Sequence, residues 1–516
     1  MLFSSWLRKF KNSLERPSAL KQNRRRRSPA CRTAPRLGIE VLEDRCLLSA
    51  GALDATFGNG GIVTTALKSG NPGGSVFIQP DHKIIVGSVD SSFVMARYLE
   101  NGSLDTTFGR GGIVTASITG NEEAAALQSD GKILMAGFII QNKTQQMVML
   151  RYNANGTLDT SFGNKGMVTT NFASGALAHA VLIQPDGKIV LGGTSGGDFA
   201  LARFNPDGTG DTSFGTNGKV TASFNGGGGW LSSIALQSDG KIVAVGYGQA
   251  GGQSGNEFAI ARFTANGALD PTFDGTGFVL DNPGNTSANL RAVVVQSDGK
   301  IVVTGQVPSP VPGGSGDLGV LRYNSDGTPD TTFGVNGLTA IDYANNDSDP
   351  FALALQSDGK ILVGGTTVPW SQSFPGVFAL ARLNPDGSLD STFGTAGEVT
   401  TAIVSNAQIN ALAIQPWNGD IVAAGFGTTV GQRSGGFTLA RFLGDPVTAP
   451  LMLSALEPAT SPTSTASSRL SPSVGRAARH SETSALDSPL AKDNLGWLAI
   501  VADAALDSET HRHQIV

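Results

Sequence analysis

A short phrase, repeated seven times, constrains this chain more than any other feature. LDATFGNGGIVTT opens at Leu53 and SLDTTFGRGGIVTA spans 103–116. LDTSFGNKGMVTT follows at Leu158, GDTSFGTNGKVTA at Gly210 and LDPTFDGTGFVL at Leu269. PDTTFGVNGLTA at Pro329 and LDSTFGTAGEVTT at Leu389 complete the set. Starts lie 51, 54, 52, 59, 60 and 60 residues apart. A period of this size marks a stacked-repeat architecture, in which one unit cannot cover its own apolar faces and neighbours do it instead.

One unit, 158–209, contains four short runs rich in Val, Ile, Thr and Phe: MVTTNF, AVLIQ, KIVLGG and FALARF. Each has the length and composition of a strand. Pro-Asp-Gly separates the second from the third, and Asp-Gly tolerates the positive φ of a tight hairpin. QSDGK repeats that turn at Gln128, Gln237, Gln296 and Gln356, with weaker versions QPDHK at Gln79 and QPWNGD at Gln415. Glycine at 68 of 516 residues and only 15% charged residues suit an all-β chain full of turns. The expected fold is a seven-bladed β-propeller of four-stranded antiparallel blades over 51–445, with residues 61–65 completing the last blade beside FTLARF. An open solenoid is disfavoured because the terminal repeats lack the polar caps an open array requires.

The pattern LD-x-TFG … LQ-x-DGKI-x-x-GG … FALARYN-x-DGSLD resembles the delta-60 repeat family of bacterial β-propellers. Gly210 replaces the leading Leu, Phe273-Asp274-Gly275 replaces Phe-Gly, and Leu383 replaces an aromatic. The resemblance implies a fold and carries no activity or catalytic residues with it.

The recurring residues read as scaffold. Phe57, Phe108, Phe162, Phe214, Phe273, Phe333 and Phe393 are expected to plug the space between blades. Asp54, Asp105, Asp159, Asp211, Asp270, Asp330 and Asp390 suit Asx-type turns. Arg97, Arg151, Arg203, Arg262, Arg322, Arg382 and Arg441 recur in every fourth run, so they serve the blade. Their five-donor guanidinium groups should hold turn carboxylates or carbonyls. The alternative is an arginine ring gripping an anion, which the acidic body disfavours. NPDGTGD (205–211), NSDGTPD (324–330) and NPDGSLD (384–390) carry oxygen ligands of the kind Ca2+ takes. NANGTLD (153–159) and TANGALD (264–270) lose a carboxylate and no Glu closes the set, so turn chemistry is expected, with no metal or cofactor.

Residues 1–50 hold 12 Lys/Arg against 4 Asp/Glu, which leaves −13 on the rest of a chain with net charge −5. An acidic body argues against nucleic acid as partner. Cys31 and Cys46, the only cysteines, lie in this basic segment, so the repeats offer no disulfide, thiolate metal site or cysteine nucleophile. VLEDRCLLSA, 41–50, resembles the LEDR–LLS leader signature of exported and surface proteins of planctomycete bacteria. That resemblance implies an exported, extracellular or cell-surface protein; the alternative is a basic disordered arm. From Pro446 a Pro/Ser/Thr/Ala-rich linker runs to about 490, and 491–516 form a tail with one short amphipathic stretch, NLGWLAIVADAALD, too short to span a bilayer.

HExxH and P-loop motifs are absent from the sequence. His82 and His179 are the only histidines of the repeats and sit in no motif. Meander geometry sends the DGK hairpins and DTTFG turns to one end of the ring. The variable segments go to the other: FNGGGGWLSS, VLDNPGNTSANL, YANNDSDPF, YGQAGGQSGNEF, VPSPVPGGSGD and TTVPWSQSFPG. Trp230, Tyr247, Tyr343, Trp370 and Phe374 fall in these loops and are the candidate ligand anchors. The leading expectation is a non-catalytic, monomeric binding scaffold for an envelope glycan or protein. The alternatives are a secreted polysaccharide-active enzyme, for which only Asp342, Asp347 and Asp349 offer carboxylates in one loop, and a purely structural envelope component.

Overall fold

The computed structural model describes residues 49–445 except 68–72, 89–91, 225, 250–254, 283–287, 310–315, 345, 369–375, 404–405 and 429–435. Among the described residues, twenty-eight strands form seven four-stranded antiparallel sheets. Blade 3 is representative: Leu177–Ile183 is innermost, then Ile189–Ser195 and Asp198–Phe204, with Lys219–Ala222 outermost. The innermost strand of every blade contacts that of each neighbour, which closes a ring of seven around one axis. Both faces of the middle strands are covered, so they read as continuous apolar runs such as IVLGG and FALARF.

The blade is offset by one strand from the sequence repeat. The first run of each repeat (MVTT, residues 167–170, for example) does not join the strands that follow it. It is the outer strand of the preceding blade. The same offset closes the ring: Ile62–Ala66 pairs with Gly436–Phe442, with Ile62 opposite Ala440 and Ala66 opposite Gly436.

Seven apolar clusters lie at the seven seams, each drawn from two adjacent blades. The seven repeat phenylalanines are fully buried there, where each contributes about 1.5–3 kcal/mol by leaving water. Over each plug lies a guanidinium; Arg97 Cζ is 4.6 Å from the Phe108 ring centre. Arg97 Nε donates to Asp105 Oδ2 at 2.9 Å, and Nη1 donates to the Ala154 carbonyl of the next blade at 2.6 Å. Asp105 Oδ1 accepts the Thr107 amide and hydroxyl at 3.1 and 2.6 Å, an Asx turn. The hairpin lysine, Lys83, stands 3.4 Å from the same carboxylate. Burial pushes the Asp105 carboxyl up, but the Thr107 hydrogen bonds with the Arg97 and Lys83 charges outweigh it and hold it at about 2. All seven Arg–Asp pairs recur, and one guanidinium thus joins turn, plug and neighbouring blade.

The closing seam departs from this pattern in three linked ways. In blade 1 the second turn is continuous: Gly102 N–H donates to the Leu99 carbonyl, Leu99 N–H to Ser103, and Gly58 N–H to Asn101. The seventh such turn is split between the two ends of the described chain. Gly51 N–H donates to Leu443, Leu443 N–H to Ala52, and Gly394 N–H to Ala50, each at 2.8 Å. Gly51 has φ +86°, and a Cβ there would stand 2.9 Å from Gly394 N, as one on Gly102 would stand 3.0 Å from Gly58 N. Next, Asp445 takes up the Arg382 and Lys360 side chains at 2.7 and 3.3 Å. Finally, the two irregular hairpins meet: His82, at φ 68°, stacks on Trp417 with ring centres 3.7 Å apart and planes 8° apart.

Candidate ligand-binding site

The topology sets a constant face against a variable one. The hairpins after the inner strands and the turns before the outer strands share the constant face, where every repeat arginine is buried and committed to its aspartate. An arginine ring open to an anionic ligand is therefore not formed. The turn carboxylates on this face are engaged as well; Asp207 Oδ1 accepts the Thr209 amide and hydroxyl at 2.9 and 2.7 Å. Among the described residues, no group of three His, Cys, Asp or Glu is placed to hold a metal ion.

On the variable face a cleft of about 430 Å3 opens between blades 3 and 4. Trp230 and Tyr247 stand directly opposite each other on the first two strands of blade 4. Gly196, Gly197, Gly228 and Gly229 wall the cleft with bare backbone, and Gln145, Ser174, Thr194 and Gln249 add polar groups. Gln249 is tied down twice: its amide N–H donates to the Gly228 carbonyl at 2.7 Å and its Nε2 to Asn256 Oδ1 at 2.9 Å. Such a cleft offers an apolar ring plane beside amide and hydroxyl partners.

Trp230 is braced from behind by a feature that sequence reading missed. Every inner strand carries a β-bulge at one position, five residues before its hairpin glutamine. The bulged residues are Gly74, Glu123, His179, Ser232, Arg291, Phe351 and Asn410. A bulge re-aims its side chain, and at four of the seven positions that side chain reaches the next blade. Asn410 Nδ2 donates to the Gly73 carbonyl at 2.9 Å, and Ser232 Oγ lies 3.3 Å from Asn289 Oδ1. Arg291 lies over the Phe351 ring at 5.2 Å, and His179 packs on Trp230 at 4.3 Å between ring centres. His179 is 1% exposed, so its imidazole fixes the indole from the core side. The signal was present in the sequence: this position varies freely inside otherwise uniform repeats.

The five aromatic anchors separate in the structure. Trp230 and Tyr247 line the cleft, whereas Trp370 and Phe374 lie outside the described residues. Tyr343 is a correction. It is 3% exposed and packs in the seam of blades 5 and 6 with Phe333, Ile341 and Val363. Its place, ten residues after the plug phenylalanine, is that of Phe172 and Phe224, which are also buried where the chain crosses to the next inner strand.

The loop carboxylates do not converge on the cleft. Asp347 Oδ1 accepts from Gln306 Nε2 at 3.1 Å, and Asp342 faces buried Asp317, whose carboxyl is pushed up to about 6 by burial and then by the Asp342 charge. An acid raised in this way costs stability once ionised. The unfolded chain ionises this group from its ordinary value of 3.8 and the folded one only at about 6, so the penalty grows across that window. Asp317→Asn is therefore expected to raise the denaturation midpoint most at pH 8, by clearly less at pH 5, and not at all once the pH is below the ordinary carboxylate value, which parallel urea titrations across that range would check.

Six stretches, residues 79–108, 128–162, 184–214, 237–273, 296–333 and 356–393, match the model of DUF5122, a β-propeller domain of unknown function. Each runs from a hairpin glutamine to a plug phenylalanine. The seventh such unit is divided between the two ends of the repeat region, from Gln415 to Leu443 and from Ala50 to Phe57. No curated protein matches the chain in sequence. Solved structures similar to it include a PL25 ulvan lyase bound to -[GlcA(1-4)Rha3S]-, at 11% identity, 74% of this chain, 96% of that one and TM-score 0.41. YCF48 bound to D1 peptide is similar at 12% identity, 78% and 100% coverage and TM-score 0.41. A protein from Lactobacillus plantarum is similar at 13% identity, 73% and 96% coverage and TM-score 0.36.

Proposed function

We propose that this seven-bladed propeller, six stretches of which match a β-propeller domain of unknown function, is a non-catalytic binding scaffold that holds a carbohydrate chain in the cleft of blades 3 and 4. The observation that carries this reading is the opposed pair Trp230 and Tyr247 on a glycine-walled cleft, with Trp230 backed by buried His179. A sugar ring presents an apolar C–H face and a rim of hydroxyls. An indole plane takes the first, and fixed amides and backbone groups take the second. A preset indole also spares the ligand the entropy of ordering it. The LEDR–LLS resemblance of residues 41–50 supports an exported or cell-surface setting, in which an envelope glycan is the available partner. The Pro/Ser/Thr/Ala-rich stretch after Asp445 has the composition of a spacer.

The test is retention on a glycan array by the full chain. Trp230→Ala is expected to weaken binding by about ten-fold or more, as loss of a central aromatic anchor does, while Trp230→Phe keeps most of it. Glycan binding that ignores Trp230→Ala, with unaltered circular dichroism, would remove the cleft from the reading. Binding to an envelope protein and to no glycan would replace the carbohydrate reading with a protein-docking one.

A further inference from the structure

We propose that the cleft of blades 3 and 4 selects neutral, hydroxyl-rich saccharides and rejects uronate-bearing and sulfated ones. This rests on the carbohydrate reading above and deepens it. The described residues that line the cleft include no Lys, Arg, Asp or Glu. Its side-chain polar groups are the amides of Gln145 and Gln249, the hydroxyls of Ser174, Thr194 and Tyr247, and the indole N–H of Trp230. The amides and hydroxyls can both donate and accept, as a sugar hydroxyl does, the indole N–H donates only, and the glycine walls add backbone groups of both kinds. A carboxylate or sulfate accepts only. Taking it out of water without a cation leaves its desolvation uncompensated.

The distribution of cations points the same way. The seven repeat arginines are at most 6% exposed and are bound to aspartates on the opposite face, and six hairpin lysines share those aspartates. His179, the titratable group beside the cleft aromatics, meets Trp230 ring against ring and is 1% exposed, so it is screened from a ligand on the open side of the indole. The chain beyond residue 50 carries −13, a long-range field that repels polyanions before contact.

The experiment uses matched polymer pairs that differ only in charge: polygalacturonate against its carboxyl-reduced form, alginate against its carboxyl-reduced form, and a sulfated galactan against its desulfated form. Binding of the full chain is measured by affinity electrophoresis and calorimetry at 50 and 300 mM NaCl, with Trp230→Ala in parallel. The expected result is Trp230-dependent binding to at least one neutral member. That binding should exceed its charged twin by about ten-fold or more and be insensitive to salt. Thr194→Lys should narrow the gap by admitting the charged twin. Trp230-dependent binding that favours a charged member, or that falls as salt rises, overturns the selectivity and leaves the carbohydrate reading intact. Failure of every polymer, neutral and charged, removes both.

Discussion

Replacing Arg262 by methionine is expected to destabilise the protein by about 3–5 kcal/mol, the cost of stripping one partner from a buried ion pair. Arg262 Nε donates to Asp270 Oδ2 at 2.8 Å, Nη2 to Thr272 Oγ1 at 2.9 Å, and Nη1 to the Ser325 carbonyl of the next blade. Methionine would keep the contact with Phe273, over which the guanidinium now lies at 4.7 Å. The loss would therefore report the polar network and not the packing. Asp270 is 3% exposed and would be left with Lys241 at 3.0 Å as its remaining cation. The paired variant Arg262→Met with Asp270→Asn should recover a large part of the loss, because the stranded carboxylate is gone. Guanidinium titrations of the two variants and the wild type decide it. A single-variant loss under about 1 kcal/mol, the range of exposed pairs, would mean that the Arg–Asp pairs do not hold the seams.

Deleting residues 49–66 from the full chain is expected to open the ring at blade 7. The deletion removes the split turn of Ala50, Gly51 and Ala52 and the strand that pairs with Gly436–Phe442. It also removes Asp54, the partner of Arg441 Nε at 2.7 Å, and Phe57, the plug beneath that guanidinium. Five strand residues would lose their register partners, and the third strand of blade 7 would become a bare sheet edge, which recruits other chains. Hydrogen exchange is expected to show loss of protection at Phe437, Leu439 and Arg441, whose amides face the deleted strand, with retained protection in blades 3 and 4, and light scattering should show association. Deleting 1–48, which leaves Ser49 and the split turn in place, should change neither. Unaltered protection at Leu439 after the first deletion would show that blade 7 holds itself without the N-terminal strand.

The two predictions bear on residues of different legibility. Seven copies of Arg, Asp and Phe in one frame announced a scaffold role. The Asx turns, the plugs and the inter-blade carbonyl contacts, which six of the seven arginines make, follow from chemistry that acts over a few residues or recurs from unit to unit. Number of blades, hairpin turns and closure by the first strand were readable for the same reason. Partners brought together only by closure were not. QPDHK and QPWNGD appear as two weak copies of a turn, yet His82 and Trp417 stack on each other because blade 7 comes to lie beside blade 1. Tyr343 and Trp230 both fall in variable loops, yet one is sealed in a seam and the other opens on a cleft. The difference lies in which neighbour meets them: Phe333 and Val363 enclose Tyr343, while Trp230 rests on His179, 51 residues away in sequence, and faces glycines that leave space open. By itself the sequence determined what repeats, because local turn chemistry and periodic burial need no knowledge of distant residues. Tertiary structure decided what is singular, because a side chain's exposure depends on the adjacent blade, and adjacency is a property of the closed ring.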